Sequence, residues 1–168
     1  MSRAKIELIT EQMEFARQET IKLAEALPAS ARLYQPAAGR PTALWLIGHL
    51  GNSVNTVIMR WALAGEACFP KEHARIFAPD FSGGEPPSTD ASKYPAYEEV
   101  IALYDNAMRK TIEGLAKLND EDLDKPLPGN VPDPIRAFFP TIGKSLQRMV
   151  AHDSYHRGQI GLLAKISG

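Results

Sequence analysis

Apolar residues recur at helical spacing in four stretches of the chain, and no stretch shows the alternation of a half-buried strand. In the first, Ile6, Ile9, Met13, Ala16, Thr20, Leu23 and Leu27 are three or four residues apart. They form one stripe on a helix that ends at Pro28, with Ser2 as N-cap. The second starts at Pro41-Thr42 with Thr42 as N-cap and runs through Trp45, His49, Ser53, Thr56 and Met59 to about Leu63. Gly65 is its stop signal. Asn52, Ser53 and Thr56 make the stripe around His49 more polar than a plain core stripe, which predicts a polar cavity there. The third begins around Pro95. Glu98 and Glu99 lie where the helix dipole favours them, and Tyr97, Ile101, Tyr104, Met108, Leu115 and Leu118 form the apolar face. The fourth follows Pro140 with Thr141 as N-cap and carries Ile142, Leu146, Met149, Val150, His156, Ile160 and Leu163.

Two connectors separate these helices, residues 64–94 and 119–139, both rich in Pro and Gly. Both exceed the roughly 2–8 residues usual between bundle helices, which marks them as crossovers or functional loops. The chain shows no internal repeat and no low-complexity tract. The pattern predicts an all-α single domain over 1–168, a four-helix bundle with two long connections.

The 168 residues are 44% hydrophobic and 23% charged, an ordinary globular composition with enough chain for a sizeable core. The net charge of −1 supplies no basic field for nucleic acid or an anionic membrane. Residues Ala43 to Leu50 form the longest nearly apolar run, too short to span a bilayer. The lone Cys68 fits a reducing compartment. Met1 to Lys5 is followed by Glu7, Glu11 and Glu14 rather than by an apolar leader core. A cytoplasmic protein is expected, with no nucleic-acid and no membrane partner.

Histidine placement changes this picture. Three of the four histidines fall within apolar, helix-patterned sequence: His49 in the second helix, His152 and His156 in the fourth. Residues four apart share one helix face, so His152 and His156 can chelate one ion, and His49 from a facing helix would complete a three-nitrogen site. Any one of these residues alone reads as an ordinary core or rim histidine. Together they would bury several ring nitrogens, each costing roughly 1–3 kcal/mol if unpaired, and one metal ion satisfies three. There is no His-Glu-x-x-His protease pattern, since residues 153–155 are Asp, Ser and Tyr. Three imidazoles leave a coordination position open, as in catalytic zinc sites, and nickel or another divalent ion also suits them. Gln159, one turn beyond His156, is a candidate partner for a ligand, as are Tyr104 and Asp105 from the third helix. Asp153 lies about 100° around the helix from His152 and is expected to bond elsewhere. His73, in the first connector, reads as a surface residue, and Arg157 as a solvated or interface charge.

The run Thr42-Ala43-Leu44-Trp45-Leu46-Ile47-Gly48-His49-Leu50, a long connector, and then His152-x-x-x-His156-Arg157-Gly158-Gln159 near the C-terminus resemble the DinB-like (damage-inducible) superfamily. The resemblance covers essentially the whole chain, and His-Arg-Gly-Gln-Ile is its most specific element. It implies an up-down-down-up four-helix bundle and a divalent metal on three histidines that match His49, His152 and His156. It also implies a homodimer. The superfamily includes bacillithiol transferases, mycothiol-dependent maleylpyruvate isomerases and metal-dependent hydrolases. The expected activity is therefore metal-dependent thiol S-transfer on a small-molecule substrate, with a low-molecular-weight thiol as co-substrate. The alternatives are a hydrolase in which the metal activates water, and a non-catalytic metal- or ligand-binding stress protein. No residue is singled out as catalytic beyond the ligands.

Overall fold

Each predicted stripe forms a helix, and shorter helices fill the connectors. The computed structural model describes residues 2–167, the side chain of Phe81 excepted. Helix α1 spans Ala4–Glu25, and a one-turn helix α2, Ala29–Arg32, follows Pro28. Helix α3, Ala43–Val54, runs directly into a π-helical segment, Asn55–Ala62. The first connector folds into α4, Lys71–Ile76, and two 3₁₀ turns, Asp80–Ser82 and Ala91–Lys93. Helix α5 spans Tyr97–Leu115. The second connector carries a 3₁₀ turn, Asp120–Asp124, and the one-turn helix α6, Asp133–Arg136. Helix α7, Ile142–Ile166, closes the chain. The described residues are all-helical, without a strand. No helix among them is long and apolar enough to cross a membrane.

Helices α1 and α3 each pack against both α5 and α7. Their stripes meet in one core that includes Ile6, Met13, Leu46, Leu50, Val100, Tyr104, Met108, Leu146 and Ile160, all essentially inaccessible. Such packing, rather than helix propensity, supplies most of the stability of helices this long. Thr42 and Thr141 are the N-caps expected: each side chain accepts an amide proton three residues on, from Trp45 at 3.2 Å and from Lys144 at 3.3 Å.

Other helix ends differ from the sequence expectation. Ser2 does not cap α1. Arg3 occupies the cap position without a capping bond from its side chain, and the Ser2 hydroxyl instead donates to Asp120 at 2.6 Å. Asp120 Oδ1 accepts the amide protons of Lys5 and Ile6, so a carboxylate from the second connector satisfies the first turn of α1. An acidic group there also meets the favourable end of the helix dipole. At the end of the π segment the left-handed residue is Ala64, φ 48°, one position before the expected Gly65, whose amide reaches back to the Met59 carbonyl. The third helix starts at Tyr97, two residues beyond Pro95.

Candidate metal centre

The three helix-borne histidines come together. His49 Nε2 lies 3.2 Å from His152 Nε2, and His156 Nε2 lies 3.1 Å from that same atom. Among the described residues, this cluster consists of three imidazoles, with no carboxylate or thiol in it. α3 contributes one ring and α7 two, from positions four apart on one face. His49 is 6% exposed, whereas His152 and His156 are only half-buried, so the cluster opens to solvent on the α7 side.

Two of the rings are oriented through their second nitrogen. His49 Nδ1–H donates to the Phe77 carbonyl at 2.9 Å, and His156 Nδ1–H donates to Gln159 Oε1 at 2.7 Å. With Nδ1 as donor, Nε2 of each ring carries a lone pair, and both point toward His152 Nε2. His152 Nδ1 is buried without a partner. Burial holds His49 down to about 4 despite the opposing effect of the Phe77 carbonyl, and burial with repulsion from the two neighbouring rings takes His152 down to about 3. Burial also lowers His156, against the Gln159 bond. All three rings are neutral at pH 7, the state in which imidazole ligates metal. Converging lone pairs repel one another, and a cation among them reverses the sign of that interaction. The donor set fits a divalent ion.

The surroundings show why His49 is held so firmly. The Trp45 indole lies flat against its ring, centroids 4.7 Å apart and planes 9° from parallel. The Ser53 hydroxyl lies 3.5 Å from its Nε2. Gly48, the residue before it, meets the Phe77 ring: a Cβ at position 48 would fall 2.3 Å from that ring. The missing side chain is what lets the connector place its carbonyl against Nδ1. Polar residues that follow His49 reach the first connector. Asn52 Nδ2 donates to the Ala74 carbonyl and Asn55 Oδ1 accepts from the amides of Cys68 and Phe69, so both hold the connector.

Of the second-layer candidates, Gln159 is in place, while Tyr104 and Asp105 face elsewhere. Asp105 pairs with Arg17 of α1, and the Tyr104 hydroxyl donates to Asp153. Asp153 bonds away from the cluster, as its angle to His152 requires. It is 3% exposed and also takes the Thr20 hydroxyl at 3.2 Å and Arg157 at 3.1 Å. Arg157 is thus the partner of a buried carboxylate rather than a free surface charge. His73 is half-buried in α4, outside the cluster, and not a plain surface residue. The Phe77 carbonyl was invisible to sequence reasoning, because a backbone acceptor leaves no mark in residue type. Gly48 beside His49 was the one available signal.

Comparison with curated proteins finds no match. A family model matches residues 12–160, from the middle of α1 through His49 to just past His156, and on that match the chain belongs to the DinB superfamily.

Proposed function

We propose that His49, His152 and His156 are the ligands of one divalent metal ion, zinc or nickel, and that the protein uses it for thiol S-transfer onto a small molecule. The convergence of three neutral Nε2 atoms within 3.1–3.2 Å of their neighbour carries the reading. A bound divalent cation supplies Lewis acidity that favours an anionic sulfur or oxygen donor at its open position. The protein's own residues orient the rings, through the Phe77 carbonyl, Gln159 and the Trp45 face, and exclude water from the α3 side.

Transfer is favoured over hydrolysis by what surrounds the rings. Activation of water calls for a nearby proton acceptor. The nearest carboxylate in sequence, Asp153, is engaged by Tyr104, Thr20 and Arg157 and faces the core. The side chains within hydrogen-bond distance of the imidazoles from outside the cluster, Ser53 and Gln159, are not bases at neutral pH, and the Tyr155 hydroxyl, on the ring edge-on to His156, accepts from Gln159. A thiol with a pKa near ~8.5 needs only acidification to become a nucleophile. This reading includes a four-helix bundle in up-down-down-up order and a homodimer without nucleic-acid partners.

The test is elemental analysis of protein purified without chelator, followed by titration of bacillithiol, mycothiol and glutathione into the zinc- or nickel-loaded form. About one ion per chain, a thiol-dependent change at the metal and conjugation of a generic electrophile are expected. Ester or amide hydrolysis without any thiol response would replace transfer by hydrolysis. Failure to take up zinc or nickel would remove the metal reading itself.

A further inference from the structure

A helix end leaves carbonyls without intrahelical partners. At the C-terminal end of α4, three such groups are satisfied by side chains on one face of α3. Asn52 Nδ2 donates to Ala74 at 3.0 Å, Trp45 Nε1 to Ile76 at 2.9 Å and His49 Nδ1 to Phe77 at 2.9 Å. Positions 45, 49 and 52 fall in line on a helix. The middle donor is the ring whose other nitrogen enters the imidazole cluster. Phe77 anchors this contact. Its ring is fully buried over Gly48, stacked on Tyr94 at 5.8 Å and edge-on to Phe69 at 6.1 Å. Asn52 keeps its amide donor on Ala74 even though its own Oδ1 is buried without a partner.

We propose that docking of segment 71–77 on α3 is thermodynamically coupled to cation binding at the three imidazoles, with Trp45 and Asn52 as positioning residues that act through the Phe77 carbonyl on His49. The inference rests on the metal reading above and adds to it. A cation drawing electron density from His49 Nε2 makes Nδ1–H a stronger donor to Phe77. In return, the carbonyl fixes the tautomer and tilt of the ring, as partners of metal-bound histidines do. When the segment lifts, Nδ1–H loses its acceptor and the ring its orientation. Linkage is reciprocal: the factor by which docking raises cation affinity equals the factor by which the cation stabilises docking. Trp45 acts twice in this arrangement, holding Ile76 by its N–H and His49 by its face.

The experiment compares the full chain with Trp45→Phe, which keeps an aromatic face but loses the donor, and Asn52→Ala. Zinc affinity is measured by chelator competition, amide exchange of segment 71–77 with and without zinc, and the visible spectrum of the cobalt(II) form. Melting of the metal-free proteins reports separately on folding. Zinc should slow exchange of 71–77 in the wild type. Each variant should bind zinc ~10-fold more weakly, as loss of an outer partner does, with faster exchange and an altered cobalt spectrum. Should one variant fail to fold, the other decides. If the wild type binds zinc but 71–77 exchanges equally fast with and without it, or the folded variants bind zinc as tightly as the wild type, the coupling is wrong while the metal site stands. If the wild type takes up no zinc or cobalt, the site reading fails and the coupling with it.

Discussion

The Tyr104 hydroxyl donates to Asp153 Oδ2 at 2.8 Å, in the residue immediately after His152. With Thr20 on the other carboxylate oxygen, side chains of α1, α5 and α7 meet at one buried group. Tyr104→Phe should cost ~1.5–3 kcal/mol, the worth of a bond to a charged acceptor. Asp153→Ala should cost about 3 kcal/mol, because it strands Arg157 and two hydroxyls. Urea unfolding of the metal-free protein measures both, and a Tyr104→Phe protein as stable as wild type would show that the bond contributes nothing.

Replacing His49, His152 or His156 by Ala should each weaken zinc binding by more than about 100-fold, beyond the range seen for outer partners. His73→Ala should leave it unchanged, since His73 lies outside the cluster. Competition with a chromogenic chelator reads the difference. Loss of zinc by His73→Ala to the same degree would contradict the assignment. Metal removal should leave the helical circular dichroism intact, because the buried apolar side chains of α1, α3, α5 and α7 supply most of the stability.

Gly48→Ala should destabilise the protein by ~1–3 kcal/mol, as overpacking does. The new methyl would sit 2.3 Å from the Phe77 ring, which has Tyr94 stacked against it and cannot simply swing clear. Thermal melting with and without zinc checks this. The same substitution at Gly158, where a Cβ meets nothing, should be tolerated.

Asp120 gives a pH dependence far from the cluster. The Ser2 hydroxyl, and then the amides of Ile6 and Lys5, hold its carboxyl below the usual carboxylate range. A group whose folded pKa is depressed contributes stability above its unfolded pKa, here 3.8, and loses that contribution as pH falls through the lower folded value. Asp120→Ala should therefore lower the melting temperature at pH 7, and the gap to wild type should close as pH drops below about 4. A gap independent of pH would mean that capping does not depend on the charge.

Much of this architecture was written in local pattern. The apolar stripes located α1, α3, α5 and α7, and Thr42 and Thr141 marked two of their starts, because periodicity and capping depend only on neighbours in sequence. The spacing of His152 and His156 likewise declared a shared face, and the structure brings His49 to it. What stayed hidden depends on residues distant in sequence. Asp120 caps α1 from the second connector, 115 residues away from Lys5, and Ser2, the local candidate, only assists it. Tyr104 and Asp105 point to Asp153 and Arg17 rather than to the imidazoles, a choice made by how α5 sits against α1 and α7. The Phe77 carbonyl reaches His49 through a connector with no periodicity to read, and the π segment follows α3 without any break in its apolar pattern.

That π segment divides one continuous helix into two independently phased halves. Beyond Val54 the bonds widen, as where the Leu63 amide reaches the Ile58 carbonyl, five residues back. Its rotation is tied to the connectors, through Asn55 to Cys68 and Phe69 and through the Trp61 carbonyl to Gly129. A residue gained or lost between 55 and 62 would re-aim the side chains that follow it by a fraction of a turn, while Trp45, His49 and Asn52, which precede the segment, would keep their azimuth.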